Sequence, residues 1–262
     1  MAKIITLASG KGGTGKSTLS AGIASYLAAL GNKVLAIDVD IGLRSLDVLL
    51  GMHESVAFDF NDVIQQRCTL NDAVSAHPTL KRLSLLAAPN SAAPQDISVD
   101  IFRALLEPLR PHFDYIIIDS AAGVDTAFEL AISCADMVIV VANTELISLR
   151  DAARVHQLLI EAGKTQCRLV VNRVRPHQIV AGEAANIDEV MDMVGLPLIG
   201  LVPEDETVIA CANHATPLIL QGQTNAGKSI LDIAKRIEGK NVPLPKKIRA
   251  TASQFNQVRI KT

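Results

Sequence analysis

One segment of the chain has the composition and spacing of a phosphate-binding loop. It fits the pattern G-x-x-x-x-G-K-[ST], in which glycines let backbone N–H groups converge on phosphate oxygens. Its residues are Gly10, Lys11, Gly12, Gly13, Thr14, Gly15, Lys16 and Ser17. In such a loop Lys16 reaches the β- and γ-phosphates, and the hydroxyl of Ser17 binds Mg²⁺. The segment therefore predicts a site for a triphosphate with a magnesium ion.

The sequence on either side of this loop has the character that such a site requires. An apolar, β-prone run at residues 3–8 precedes it, and an Ala- and Leu-rich helical stretch at residues 17–30 follows it. A helix that begins at the loop adds the partial positive charge of its N-terminus to the backbone donors. The expected order is therefore strand, glycine loop and helix.

A second lysine, Lys11, follows the first glycine of the loop, where an ordinary phosphate-binding loop has no need of one. From this position a lysine can reach a phosphate bound by a facing subunit, which would make nucleotide binding and dimerisation one event. The alternative is a solvated loop lysine. The glycines on its C-terminal side, Gly12 and Gly13, favour the first interpretation.

Three aspartates stand at the ends of two predicted strands, where ligands bind in parallel α/β sheets. Asp40 is a candidate to orient an attacking water, and Asp38 is a candidate to fix the water shell of the metal. The alternative for both is a polar strand exit. Asp119 follows the apolar run 115–118, a Walker B arrangement that places a carboxylate within one water of Mg²⁺.

Polar residues after two later strands are candidates for the nucleotide base. Asn172 follows the run 169–171, and its amide offers both a donor and an acceptor, which suits the edge of an adenine. The alternative is a turn residue that caps the strand. Pro203, Glu204 and Asp205 follow the last strand and are predicted to line the base pocket through their backbone.

A second match to the loop pattern, residues 222–229, is predicted not to bind nucleotide. The run before it begins with Pro217 and makes no clean strand, and the glycine doublet is missing. The segment instead introduces a terminal helix over 229–237. The apolar stripe of that helix is formed by Ile230, Ile233, Ala234 and Ile237.

Short apolar runs alternate with helical stretches along the chain, which predicts an α/β fold with a doubly wound, mostly parallel sheet flanked by helices. The strand-like runs after the loop are 33–38, 83–88, 114–119, 137–142, 168–171 and 198–202. The helical stretches between them include 101–109, 125–134, 149–162 and 187–194. We expect one domain over residues 1–239, followed by a tail at 240–262.

The composition excludes several classes of protein. Aromatic residues make up 3% of the 262 residues and Trp is absent, which argues against stacking platforms for single-stranded nucleic acid. The formal net charge of −2 provides no overall attraction to DNA or lipid. The cysteines lack C-x-x-C spacing, and we expect neither a signal peptide nor a membrane span. We therefore expect a cytoplasmic protein with structural thiols.

The predicted tail is basic, with five Lys or Arg residues between 246 and 261 and no Asp or Glu. On a helix from Lys246, the side chains of Ile248, Ala252, Phe255 and Val258 would share one face. This pattern predicts weak, reversible membrane contact through 246–261 that needs two tails together. The alternative is a solvated basic tail.

These motifs together resemble the MinD/ParA family of deviant-Walker P-loop ATPases, and its MinD branch most closely. The resemblance covers about residues 2–238. Its most specific part is the segment 38–47, which is similar to the switch I signature of that branch. The other segments that carry it are 10–17, 119–123, 143–145, 150–152 and 199–205.

The resemblance implies a P-loop fold of the SIMIBI type that binds ATP and Mg²⁺ and hydrolyses ATP slowly, with stimulation by a MinE-like partner. It also implies a sandwich homodimer in which Lys11 contacts the nucleotide of the other subunit. The remaining roles that it implies are Lys16 at the phosphates, Ser17 at Mg²⁺, Thr18 at the α-phosphate, Asp40 at the attacking water and Glu145 at the partner's nucleotide.

The cycle implied by the resemblance ends in placement of the division septum, with the dimer held at the inner face of the cell membrane. One alternative is a positioning ATPase of the same family for another cargo, such as flagella, a secretion apparatus, a plasmid or a chromosome. DNA binding stays open, although the balanced charge does not favour it. Another alternative is a nucleotide sensor without turnover, against which the intact Lys16, Asp40 and Asp119 argue.

The chain departs from the family pattern at two loop positions beside the site. Ala121 and Thr144 stand where the family usually has proline. We expect the first change to loosen the switch II loop after Asp119.

Overall fold

The computed structural model describes residues 1–89 and 97–244, and its central feature is a single sheet. The strands, labelled β1 to β8 in chain order, are Lys3–Ser9, Val34–Asp38, Val74–Ala76, Leu83–Leu86, Tyr115–Ala122, Met137–Ala142, Cys167–Val174 and Leu198–Pro203. The order across the sheet is β3-β4-β2-β5-β1-β6-β7-β8. Every neighbouring pair is parallel except β3 and β4. The predicted mostly parallel α/β fold is confirmed.

Helices cover both faces of the sheet. Those of the described residues, labelled α1 to α11, are Lys16–Ala29, Leu46–Leu49, Phe60–Ile64, Leu70–Ala73, Val99–Leu106, Thr126–Ser133, Leu146–Glu161, Pro176–Ala181, Ile187–Val194, Glu206–Asn213 and Asn225–Ile237. None of the helices in residues 1–89 and 97–244 combines the length and the apolar character needed to cross a membrane. The tail residues from 245 onward, and with them the predicted membrane contact at 246–261, lie outside the described residues.

The elements that the sequence pattern missed are short. The strand β3 has three residues and no buried one, so no apolar run announces it. The helices α2, α3 and α4 have four or five residues each. A helix of little more than one turn shows no 3.6-residue periodicity and is held by its tertiary contacts.

The helix α1 is fixed between the sheet and α11, and this holds the loop at its N-terminus in place. It is buried almost throughout, from Leu19 to Ala28. The predicted apolar stripe of α11 packs against it and against β8, and Ile230 comes within 3.1 Å of where a side chain on Gly22 would begin. A side chain on Gly200 in β8 would collide with Ile233. Small residues on both neighbours therefore let α11 approach closely.

The second match to the phosphate-loop pattern is the N-terminus of α11. The hydroxyl of Thr224 caps this helix by accepting a hydrogen bond of 2.9 Å from the backbone of Gly227. Gly227 is buried against the hydroxyl of Tyr26 on α1. Gly227 therefore allows α11 to pack closely against α1, and the neighbouring Lys228 is exposed.

The imidazole of His77 joins the loop after β3 to the end of α2. Its Nε2 lies 2.9 Å from the carbonyl of Leu50, while Nδ1 accepts hydrogen bonds from the backbone N–H groups of Thr79 and Leu80. Two donors directed at Nδ1 require the neutral ring, with its proton on Nε2. Burial lowers the pKa of His77 below its usual value of 6.5.

We expect the free energy of unfolding to fall as the pH drops through about 6.5, because His77 then takes a proton only in the unfolded chain. His77→Ala should cost about 1–3 kcal/mol at pH 7.5, since it leaves buried backbone groups unpaired. It should also flatten the pH dependence. Urea unfolding between pH 5.5 and 7.5 measures both effects, with the exposed His53→Ala as control. An unchanged pH slope in His77→Ala would contradict this account.

Candidate functional site

The predicted phosphate loop joins β1 to α1 in a conformation that depends on its glycines. Gly13 and Gly15 have φ values of +80° and +86°, in the left-handed region that other residues rarely adopt. Gly15 is also the N-cap residue of α1. A Cβ on Gly10 would lie 2.6 Å from the Cβ of Asp151 on α7. The first glycine therefore allows the loop to lie directly against that helix.

The loop leaves room for a ligand and has donors without protein partners. A Cβ on Gly12 or Gly13 would meet nothing within 4 Å. The first N–H groups of α1 have no partner within the helix. The hydroxyl of Thr14 is buried and lacks a hydrogen-bond partner among the described residues. Such a concentration of unpaired donors at a helix N-terminus is suited to a phosphate group.

A buried ion pair lies beneath the loop. The Nζ of Lys16 is 2.9 Å from Oδ1 of Asp119, and the two side chains are 5% and 0% exposed. The hydroxyl of Ser20 donates a second hydrogen bond, of 2.7 Å, to the same oxygen. The other oxygen, Oδ2, is buried and has no partner within the described part of the chain. Asp119 thus holds the loop lysine with one oxygen and keeps a second acceptor free, as a water-mediated metal contact requires.

Asp38 stands beside Asp119 in the paired strands β2 and β5. Its two oxygens accept hydrogen bonds from the backbone N–H groups of Asp40 and Leu46, at 2.8 and 2.9 Å. Burial raises the pKa of Asp38, and the neighbouring Asp119 carboxylate raises it further. The carboxyl group therefore shapes the loop between β2 and α2. Its role in the metal's water shell stays a prediction.

Asp40 is half-buried at the start of the same loop. Its carbonyl accepts hydrogen bonds from the backbone of Leu43 and Arg44, whereas its carboxylate makes none with residues 1–89 or 97–244. Burial raises the pKa of Asp40, and Lys16 opposes this increase. The carboxylate is left free to accept a hydrogen bond from water in front of the loop.

Lys11 and Glu145, which the resemblance assigns to the nucleotide of a partner, contact each other in the single chain. The Nζ of Lys11 lies 3.0 Å from Oε2 of Glu145, and the side chains are 30% and 63% exposed. An exposed pair of this kind contributes about 0.2–1 kcal/mol. It can therefore be exchanged for a stronger contact with a phosphate.

The end of β7 holds the phosphate loop from the other side. The amide nitrogen of Asn172 donates a 2.8 Å hydrogen bond to the carbonyl of Thr14, and Nη1 of Arg173 lies 3.3 Å from the carbonyl of Gly13. Arg173 has a φ of +54°, so its backbone is strained in the position that allows this contact. The amide nitrogen of Asn172 is therefore engaged by the loop, and only its amide oxygen is left to accept a hydrogen bond from a base.

A pocket that is open to solvent lies beside the loop. Seven residues predicted for the nucleotide line it together: Gly13, Gly15, Thr18, Asn172, Pro203, Glu204 and Asp205. The apolar part of the lining includes Val208, Ile209 and Ile230. The structure thus brings the candidate base residues together next to the candidate phosphate site.

The side chains of Glu204 and Asp205 have roles that the sequence reasoning missed. Glu204 pairs with Arg175 and Arg173, and the hydrogen bonds from Arg175 lower its pKa to about 2. Asp205 accepts from the backbone of Thr207 at 3.0 Å and of Ala226 at 3.1 Å, so it caps α10 and binds the N-terminus of α11. An aspartate directly before a helical stretch is a capping signal that could have revealed the first contact.

The segment after Asp119 continues as strand. The strand β5 extends to Ala122, which pairs with Ser9 of β1, and the backbone of Gly123 donates to the carbonyl of Ser9. The expectation that Ala121 loosens this segment relative to a proline stays a prediction. Alanine has the backbone N–H that proline lacks, so this segment can extend a strand.

Comparison with known proteins identifies the family. The model of the CobQ/CobB/MinD/ParA nucleotide binding domain matches residues 5–218. The septum site-determining protein MinD of Helicobacter pylori is 40% identical over 250 residues, which cover 92% of each chain. The chain belongs to the MinD/ParA family.

Solved structures of the MinD/ParA family share this fold over nearly the whole chain. The MinD cell division protein of Aquifex aeolicus is 34% identical and has a TM-score of 0.86, covering 94% of this chain and 100% of that one. A MinC:MinD cell division protein complex from the same organism gives a TM-score of 0.87 at 34% identity, over 94% and 99% of the two chains.

Substitutions of Lys16 and Lys228 should show which of the two matches to the phosphate-loop pattern, residues 10–17 or 222–229, binds the nucleotide. We expect Lys16→Ala to weaken ATP binding at least about 100-fold, because it removes charge-assisted hydrogen bonds worth about 1.5–3 kcal/mol each. Lys228→Ala should bind as the unaltered protein does. Calorimetric titration measures both affinities.

A folding control accompanies this comparison, because removing Lys16 leaves Asp119 buried without a counter-ion. Lys16→Gln keeps a donor at the position, and circular dichroism checks that each variant is folded. Equal affinities in folded Lys16 and Lys228 variants would exclude residues 10–17 as the site.

Proposed function

We propose that this chain is an ATPase of septum-site determination that binds ATP with Mg²⁺, pairs with a second copy of itself and is reset by slow hydrolysis. The observation that carries the proposal is that the phosphate loop has two lysines, one buried and one at the surface. Lys16 is buried on Asp119, whereas Lys11 lies at the surface in a weak pair with Glu145. One lysine serves the chain's own nucleotide, and the other is free to serve a second.

The residues present fit ATP and Mg²⁺. The space beside Gly12 and Gly13 admits phosphate oxygens, to which the unpaired hydroxyl of Thr14 can donate. The unpaired Oδ2 of Asp119 can accept a hydrogen bond from a water on Mg²⁺. Ser17 and Asp119 would hold Mg²⁺, directly and through a water respectively. When bound, the metal supplies positive charge that offsets the charge of the triphosphate.

The side chains around the loop then divide the remaining work. Lys16 exchanges its contact with Asp119 for phosphate oxygens, while Ser20 keeps Asp119 in place through its 2.7 Å hydrogen bond. Asp40 orients the attacking water with its free carboxylate. Asn172 holds both the loop and, through its amide oxygen, the base.

A second copy of the chain would cover an exposed apolar rim around the loop. Four large apolar side chains at the carboxyl ends of the strands or just beyond them are 43–78% exposed: Leu43, Val124, Leu146 and Ile147. Apolar side chains grouped in this way mark interaction surfaces in soluble proteins. Since Lys11 and Glu145 lie on the same side, pairing across this rim places both near the partner's nucleotide.

The septum is the output supported best. Curated relatives at 35–40% identity over more than nine-tenths of the chain are septum site-determining proteins, which makes flagella, a secretion apparatus or a plasmid less supported cargoes. The Aquifex relative was solved with MinC. We infer a MinC-like partner, a MinE-like activator and a peripheral position at the inner membrane face through residues 246–261.

Lys11→Ala tests the dimer. The variant should bind ATP yet remain monomeric in light scattering, because it lacks the ammonium group proposed to contact the partner's phosphates. It should also lose ATP-dependent sedimentation with anionic liposomes, since one weak tail does not suffice. Lys33→Ala, an exposed lysine in the loop that enters β2, is the matched control. A Lys11→Ala protein that dimerises and turns over ATP normally would defeat the proposal.

Asp40→Ala tests hydrolysis separately from binding. Loss of the residue that positions water should lower the turnover number about 10²–10⁴-fold, while the affinity for ATP changes little. Phosphate release and nucleotide titration give the two quantities, with exposed Asp100→Ala as control. Unchanged turnover would remove Asp40 from the mechanism without affecting the assignment of the nucleotide site.

A further inference from the structure

One arginine fixes the place where the chain leaves the fold. Arg236 on α11 donates from Nε to the carbonyl of Val242, from Nη1 to that of Ile199 and from Nη2 to that of Pro243, all at 2.9–3.0 Å. Ile199 is the second residue of β8. Val242 and Pro243 therefore lie near the beginning of this strand. The helix α9 ends only five positions before Ile199, at Val194.

The helix α9 has an outer face that no described element covers. Asp188, Asp192 and Met193 are exposed on it. His156 of α7 contacts the carbonyl of Val194 at 2.9 Å, which sets α7 alongside the end of α9. Ile160 lies one turn beyond His156 on α7 and is 62% exposed. We call Asp188, Asp192, Met193 and Ile160 the α9 face.

The charge of this region is the opposite of that of the tail. Residues 176–203 contain four Asp or Glu and no Lys or Arg, whereas residues 245–262 contain five Lys or Arg and no Asp or Glu. The nearby Arg154 of α7 is already within 4.0 Å of Glu161. The carbonyl end of α9 adds further negative character.

The tail is long enough to extend to the α9 face. Its 18 residues span about 60 Å when extended and about 27 Å as a helix, and the eight residues of α9 span about 12 Å. The helices α11 and α9 pack on opposite faces of the sheet, so the tail has to pass the edge strand β8 to bring Lys246 and Lys247 to Asp192. The apolar side chains of Ile248 and Phe255 come next along the chain.

We propose that in the nucleotide-free monomer residues 245–262 bind to the α9 face of their own chain. The basic side chains pair with Asp188 and Asp192, and the apolar ones pack on Met193 and Ile160. These are the same side chains that the proposed membrane contact uses, so the two states exclude each other. The self-association itself needs no ATP, and it can be tested whether or not the proposed function holds.

A zero-length carbodiimide cross-link tests the contact in the full-length, nucleotide-free monomer. Mass spectrometry should find an amide bond between Asp192 or Asp188 and Lys246 or Lys247 within one chain. Absence of this bond, or its appearance only between two chains, would overturn the proposal. The matched control is the double variant Asp100→Asn/Glu107→Gln, which removes two exposed acids from α5 and its C-terminal end and should keep the cross-link.

The double variant Asp188→Asn/Asp192→Asn supplies a second measurement. Trypsin should cleave after Lys247 and Arg249 about threefold to tenfold faster than in the unaltered chain, because two ion pairs of the tail are lost. Added salt should reduce this difference. Equal cleavage rates would count against the contact. Sedimentation with anionic liposomes in the absence of ATP should rise in this variant. If cleavage is faster but sedimentation does not rise, the result counts against the proposed membrane contact and not against binding of the tail to the α9 face.

Discussion

The buried contact between Lys16 and Asp119 is the interaction on which the rest of this structure depends. It joins the phosphate loop to β5, and Ser20 of α1 reinforces it on the same oxygen. Breaking a buried pair by removing one partner costs about 3–5 kcal/mol, because the remaining charge is left without compensation. The chain therefore keeps its site assembled before any ligand arrives, and a phosphate has only to replace a carboxylate that is already in place.

The neighbourhood of this pair also explains the shape of the loop after β2. Asp38 and Asp119 are adjacent in the sheet register, and Lys16 is the cation placed between carboxylates there. Asp38 compensates for its burial with two backbone hydrogen bonds, which set the positions of Asp40 and of the first turn of α2. A change of charge near Lys16 therefore acts electrostatically on Asp38, which holds the segment that carries Asp40, the candidate water-orienting residue.

The sequence predicts features that depend on residues close together along the chain, but not contacts between residues that are distant along it. The loop 10–17 and the aspartates at strand ends follow from local patterns, because parallel strands bring their carboxyl ends to one edge. The contact between Lys11 and Glu145 joins residues 134 positions apart, and no periodicity announces such a pair. Asp205 was assigned to the base pocket, but its second contact, with Ala226, became visible only when α11 was placed.

The helix α11 connects two ends of the molecule. Asp205 accepts a hydrogen bond from Ala226 in its first turn, and Ile230 lines the candidate base pocket. Arg236, near its other end, donates a hydrogen bond to the carbonyl of Pro243. A helix of 13 residues is about 20 Å long and moves as one body. Any displacement of its first turn would therefore also displace Arg236 and, with it, the backbone of Val242 and Pro243.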